Sequence, residues 1–420
     1  MHLHPIHFFG SPKSPDFGLR RSKTLKIKKI ILLGLLFLCS CNRYSSADLN
    51  VFATASALPT FLPTVTSTPV PPTVTPTSVP TSTPTPIPPT PRPVGLAKFE
   101  PPDGHVLVFI GQDNASVGGT SAYTNGYVDH IGMPAGVTTY AYMIENSTNK
   151  FGYHFDIGHI DGLLTEVNWG AGPVCAECYL DAQQFSKAIV HISISMENHG
   201  EYLVADGTYD YLIDELANFL KTHQDHPFFL RIGYEFDGSS GGYDPEKYKL
   251  AFRRIVDRLH SQGLDNFATV YAASSVSVGA FFWDAYYPGD NYVDWIGYSY
   301  WDTAPEYKGG LDFARQHGKP VMIAESAPYL YSFANGDGEK TWEQWFIPFF
   351  QHVLENQDVI KAISYINADW HSQAMWKRGV WKDTRIQTND VIRENWLSVI
   401  ENPIFINGKD DVFGMIGFAQ

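Results

Sequence analysis

Eight short apolar runs, each set off from the next by a polar or amphipathic stretch, restrict most what this chain can become. They are "HVLVFIG" (105–111), "GVTTYAYM" (136–143), "AIVHISISM" (188–196), "FFLRIGYE" (228–235), "NFATVYAA" (266–273), "YVDWIGYSY" (292–300), "KPVMIAE" (319–325) and "IKAISYI" (360–366). They are apolar at successive positions rather than alternate ones, so both faces demand burial, as in parallel strands covered by helices. Helical stretches lie between them. In "DPEKYKLAFRRIVDRLHSQG" Asp244 is placed to cap, Pro245 occupies the first turn and Gly263 stops the helix. "YDYLIDELANFLKTHQ" (209–224) is a second such stretch. Eight strands alternating with helices predict a closed (β/α)8 TIM barrel. No glycine-rich phosphate loop follows the first run, which argues against an open doubly wound sheet. A ninth run, "GLLTEVNW" (162–169), exceeds the count and is expected in a long loop or hairpin above the barrel.

The chain has 420 residues, and the barrel is expected to occupy only 96–420. Residues 1–41 read as an export segment: seven Lys or Arg and one acid in the first thirty residues precede the apolar "IILLGLLFLCSC". That run falls short of the roughly 20 apolar residues of a membrane span and has the pattern of a secretory signal. "LCSC" resembles a bacterial lipobox, which implies lipidation of Cys41. Residues 42–95 form a linker rich in Pro, Thr and Ser, with thirteen of the 28 prolines between Pro59 and Pro93. Such a segment cannot bury enough apolar surface to fold, and proline stiffens it into a spacer. The expectation is an exported bacterial protein, either secreted or held at the cell surface by its lipid anchor. Contact with a membrane would come through that anchor alone.

From Gly95 on, 21 basic residues stand against 42 acidic ones. That balance disfavours nucleic acid, whose phosphates are bound by neutralising them with Lys and Arg. Aromatic residues are abundant, with 23 Tyr and 10 Trp in the chain, and their flat faces suit uncharged sugars. The domain's cysteines are Cys175 and Cys178 in "CAEC". Outside the cell that spacing predicts a small loop disulfide, and no second pair exists to complete a zinc site. No HExxH motif or dense carboxylate–histidine cluster is visible, so neither a metal nor another cofactor is expected. A monomer is expected.

In barrels of this kind the C-terminal strand ends carry the chemistry. Glu235 ends "FFLRIGYE" and Glu325 ends "KPVMIAE". Two carboxylates at one rim are what glycoside hydrolysis requires, one to donate a proton and one to stay ionised. Arg231 lies four residues before Glu235, so strand alternation places both side chains on one face. A buried guanidinium needs a carboxylate partner and lowers that partner's pKa, leaving the other acid to be raised by desolvation. Glu197 in "SMENHG" and Glu166 in "LTEVNW" compete on the same generic grounds, and spacing does not choose among the four.

"FFLRIGYEFDG" resembles the acid/base strand of glycoside hydrolase family 26, with Arg231, Glu235 and Gly238 matching its pattern. "YYPGDNYVDWIGYSYW" is similar to the family's lead into strand six, "GKPVMIAESA" to its nucleophile strand seven and "WKDTRIQTNDVIRENW" to its closing segment. The resemblance runs from about Leu107 to Ile406. It implies Glu235 as general acid/base and Glu325 as nucleophile of a retaining endo-β-glycanase, with Glu197 and Glu166 demoted to subsite residues. It also implies a plant or algal polysaccharide substrate such as β-mannan, cut in the manner of a mannan endo-1,4-β-mannosidase. Three departures surround the expected cut bond. The family's usual His before the acid/base is Tyr234, its Asp-x-Tyr after strand six reads Ser299-Tyr300-Trp301, and strand five ends in "AASS". Tyr298 or Tyr300 is then expected to contact the nucleophile. These departures make β-1,3-xylan and β-glucan competing substrates. Trp370, just beyond the last strand, is the expected sugar platform, since a flat ring packs against the C–H face of a pyranose. Trp169 and Trp301 are further platform candidates, while Asp302, Trp283 and Trp381 could equally be scaffold. An expectation of another class is a surface sugar-binding lipoprotein without catalysis, against which the paired Glu235 and Glu325 argue.

Overall fold

The computed structural model describes residues 96–418 except 156, 239–241, 275–279, 302–307, 332 and 334–336. The export segment with Cys41, the proline-rich linker and Asp302 lie outside the described residues.

Each of the eight apolar runs forms a strand. In chain order these are β1 (Val106–Gly111), β2 (Gly136–Tyr142), β3 (Ile189–Ser195), β4 (Phe228–Ile232), β5 (Phe267–Ala273), β6 (Trp295–Tyr300), β7 (Val321–Ser326) and β8 (Ile360–Ile366). Each pairs in parallel with the next, and β8 pairs back onto β1, closing the barrel. A short β9 (Phe405–Ile406), not expected from the sequence, lies parallel to the start of β1. Because β2 joins β1 only from Phe109 onward, β9 takes the backbone that Val106 and Leu107 leave open.

Outward residues such as Val108, Val190, Ile192 and Leu230 pack under the helices. The helix α1 (Asp210–Thr222) buries Leu212, Ile213, Leu216, Phe219 and Leu220 at helical spacing. Its neighbour α2 (Pro245–Ser261) does the same with Tyr248, Phe252, Ile255, Val256 and Leu259. Asp244 caps α2 by accepting from the Lys247 amide at 2.9 Å, and Gly263 follows its end with φ 76°. Both ends match the sequence signals.

Inward residues divide into two layers. Leu107, Phe109, Ile189, Phe229, Trp295 and Met322 make an apolar floor, sealed below by Phe99 and Phe413. Above it the layer is polar. The Thr138 hydroxyl lies 3.0 Å from His191 Nδ1 and 2.7 Å from Ser364 Oγ. Burial, and then the Arg231 charge, holds the His191 pKa well below its ordinary value, so the ring is neutral. The ninth run is a loop over the barrel mouth, tied by single antiparallel bridges between Val167 and Val174 and between Asp161 and Tyr142. Cys175 and Cys178 are bonded to each other in this loop.

Candidate active site

The end of β4 differs from its apolar run. The strand stops at Ile232, and Gly233 and Glu235 then take left-handed backbone, with φ 57° and 51°. A Cβ on residue 233 would lie 2.6 Å from Tyr248 Cε2 and 2.8 Å from Met196 Cε, so glycine is required there. For a residue with a side chain this conformation costs roughly 1–2 kcal/mol, and at Glu235 the surroundings impose it. Buried Phe236 stacks on Tyr271 with ring centroids 4.5 Å apart and planes 2° from parallel. Asp237 accepts from the Ser274 amide at 2.6 Å and its hydroxyl at 2.9 Å. Strand alternation therefore does not relate Arg231 to Glu235. Both reach the same site, but the turn brings Glu235 there.

Glu325 is aimed by a second irregularity. Simple alternation would turn it outward with Val321 and Ile323. Both flanking ladders slip after Ile323, however: Tyr298 pairs with Ile323 while Ser299 pairs with Glu325, and Ile363 pairs with Ile323 while Tyr365 pairs with Ser326. The extra residue is a β-bulge, and it redirects Glu325 into the barrel mouth.

There the side chains form a connected set. Fully buried Arg231 makes an ion pair through Nη1 with Glu325 Oε1, and the Tyr140 hydroxyl donates to the same oxygen at 2.9 Å. Arg231 Nη2 reaches Ser299 Oγ at 3.4 Å, and Ser299 donates to Glu235 Oε1 at 3.0 Å. Burial, reinforced by the neighbouring Glu325 charge, pushes the Glu235 pKa up to about 7 against the opposing pull of Arg231 and Ser299. One carboxyl can thus keep its proton near neutrality while two donors stabilise negative charge on the other. That division lets one group protonate a leaving oxygen while the other attacks an acetal carbon.

The two carboxyls open into a cleft of about 800 Å3. Phe151, Phe155 and Trp169 line it from the segments after β2, and Trp301, Trp370, Trp376 and Trp381 from those after β6 and β8. Tyr142 and Tyr234 form a wall, their hydroxyls 3.0 Å apart. The Tyr234 ring centre lies 5.0 Å from the Arg231 guanidinium and 5.6 Å from the Tyr140 ring, so it shields the ion pair.

Of the residues expected at the site, Trp169, Tyr234, Trp301 and Trp370 line this cleft and Arg231 lies beneath it. Trp370 is 2% exposed, gives its Nε1 to Thr384 Oγ1 at 3.0 Å and is packed by Trp376 and Trp381. The more open rings are Trp301, Trp376 and Trp381. Tyr298 and Tyr300 do not reach the cleft. The Tyr298 hydroxyl is 2.7 Å from His352 Nε2, and Tyr300 packs on Trp345 and Phe349. Ser299 takes the inward position of β6, so both neighbours must face the helices. Tyr140 on β2 makes the contact with Glu325 expected of them. Glu197 lines the cleft, whereas Glu166 accepts from the Tyr123 hydroxyl at 2.8 Å elsewhere. Trp283 is scaffold, stacked on Phe313.

Sequence reasoning missed Tyr140, Tyr142, Ser299 and Trp376. A signal existed for the first two, which stand two apart at the end of β2 and so share a face. Among the described residues no group of three or more His, Cys, Asp or Glu side chains is placed to hold a metal ion.

Comparison with known proteins places this geometry in a family. The family model described as glycosyl hydrolase family 26 matches residues 183–376. The β-1,3-xylanase TXYA of a Vibrio species is 33% identical over 350 residues, covering 76% of this chain and 70% of that protein. A β-1,3-xylanase of an Alcaligenes species is 32% identical over 349 residues, covering 76% and 68%. Among solved structures, the catalytic domain of a Bacillus endo-β-1,4-mannanase superposes with a TM-score of 0.50 at 15% identity, covering 74% of this chain and 89% of that one. At that identity the likeness speaks for the fold alone.

Proposed function

This chain belongs to glycoside hydrolase family 26, and from that premise we propose that it is a retaining endo-β-1,3-xylanase. Family membership makes it a glycosidase, and the β-1,3-xylanase relatives support a polysaccharide substrate. The observation that carries the mechanism is the joined but opposite environments of Glu235 and Glu325. Among the described residues both donors to Glu325 land on Oε1, which leaves the lone pairs of Oε2 for attack. In the first step Oε2 bonds to the anomeric carbon while Glu235 gives its proton to the departing glycosidic oxygen. In the second, ionised Glu235 takes a proton from water, whose oxygen displaces Glu325 from the same carbon.

The choice of β-1,3-xylan rests on the two relatives that match along most of this chain. Tyr234 at the position of the family's usual His supports a departure from β-mannan, the expectation drawn from the resemblance alone. Aromatic side chains arriving from separate loop regions support binding on both sides of the cut bond, hence internal cleavage. The expected lipid anchor at Cys41 and the proline-rich spacer would present such an enzyme to polymer outside the cell.

The test is a reducing-sugar assay on β-1,3-xylan, β-mannan and β-glucans, with proton NMR of the first-formed anomer. Release from β-1,3-xylan with the β-anomer appearing first is expected, and Glu235→Gln and Glu325→Gln should each abolish it. An α-anomer would overturn retention, and a preference for mannan or glucan would overturn the substrate. Binding without hydrolysis would instead favour the non-catalytic lipoprotein.

A further inference from the structure

Ser299 stands between the two carboxyl environments, and its hydroxyl carries one proton. Its oxygen accepts from Arg231 Nη2 at 3.4 Å and its proton goes to Glu235 Oε1 at 3.0 Å. A guanidinium has only donors and keeps its charge at any working pH. The hydroxyl proton is therefore driven away from Arg231 and toward Glu235. An oxygen that receives that donor has no room for a second proton along the same line.

Resting on the assignment of Glu235 as the acid, we propose that Ser299 is a positioning residue that decides which oxygen of Glu235 carries the transferable proton. Oε1 stays an acceptor and the proton resides on Oε2. After Glu235 has given up that proton the same bond still holds Oε1, so Oε2 is again the oxygen that receives a proton from water. One hydroxyl thus serves both protonation states without rotation of the carboxyl. The other groups facing Glu235 are Arg231 from β4, Glu325 from β7, Asp237 from its own turn and Tyr140 from β2. Among the described residues none of them is hydrogen-bonded to the Glu235 carboxyl, so none duplicates the role.

The experiment compares kcat/KM for an unactivated oligosaccharide with that for the 2,4-dinitrophenyl glycoside of the same sugar, whose leaving phenolate needs no proton. Ser299→Ala is expected to lower the first about ten-fold or more, within the range of general acid catalysis, and to leave the second near the wild-type value. Its alkaline pH limb should also move upward, because the carboxylate has lost a donor. Ser299→Thr, which keeps the hydroxyl, should restore both. Equal losses on the two substrates, or no loss on either, would overturn the proposal. Glu235→Ala is the control for the premise. If that variant too loses both activities equally, Glu235 is not the acid; if it loses only the unactivated one while Ser299→Ala is uniform, the positioning role alone fails.

Discussion

Tyr140, near the end of β2, donates its hydroxyl to the Oε1 of Glu325 on β7 at 2.9 Å, the same oxygen that pairs with Arg231. The bond spans 185 residues of sequence. A hydrogen bond to a charged acceptor is worth about 1.5–3 kcal/mol. Tyr140→Phe should therefore lower kcat on the order of ten- to a hundred-fold, with KM little changed. A variant with the wild-type kcat would remove Tyr140 from the site.

The pH profile should report Glu235. Its carboxyl is raised from the ordinary 4.5 to about 7, chiefly by burial. The protonated acid is therefore depleted as pH rises through about 7, and kcat/KM should fall there by about ten-fold per further pH unit. An alkaline limb already complete near the ordinary carboxylate range would contradict this environment.

The same shift links to folding. In the window between 4.5 and about 7 the native state holds a proton that the unfolded chain has released. Native Glu235 then binds more protons than its unfolded counterpart, so stability falls as pH rises through that window. Glu235→Gln lacks the slope, and relative to the wild type it should gain a few degrees in Tm between pH 5 and pH 8. A difference in Tm that stays constant with pH would show that the carboxyl is not desolvated.

Gly233→Ala tests the turn that aims Glu235. Its Cβ would press on Tyr248 Cε2 at 2.6 Å in a backbone of φ 57°, and Tyr248 is pinned by its own bond to the Ile232 carbonyl at 2.9 Å. Overpacking of this kind costs about 1–3 kcal/mol. A lower urea midpoint is expected together with a lower kcat, since the strained turn carries the acid. An unchanged midpoint would show that the turn yields freely.

Two classes of tryptophan should separate. Trp376→Ala and Trp381→Ala open the cleft wall and should raise KM for long oligosaccharides about two- to ten-fold, the scale of a ring contact. Trp283→Ala, buried against Phe236 and Phe313, should instead cost about 3–5 kcal/mol of stability. Equal effects on KM from all three would contradict the division.

Much of the fold is local in origin and so is legible without coordinates. All eight apolar runs became barrel strands, and the cap at Asp244 and the stop at Gly263 sit where their side chains place them. Burial on both faces, helical spacing and capping depend on residues a few positions apart. The glutamates at 235 and 325 come together at one mouth because parallel strands in a barrel share a C-terminal end.

Side-chain direction at that mouth was not legible, because it depends on register between strands. The bulge after Ile323 turns Glu325 inward, and the left-handed turn at Gly233 and Glu235 replaces the expected strand end. Both are stabilised by neighbours on other strands. Tyr298 and Tyr300 lost the place expected of them for the same reason: on β6 the inward seat belongs to Ser299, and closure of the barrel brings Tyr140 across to Glu325. Periodicity names the residues that face one side of a strand. Which of them meet across the mouth follows from closing eight strands into one ring, and no stretch of chain shorter than the ring contains that information.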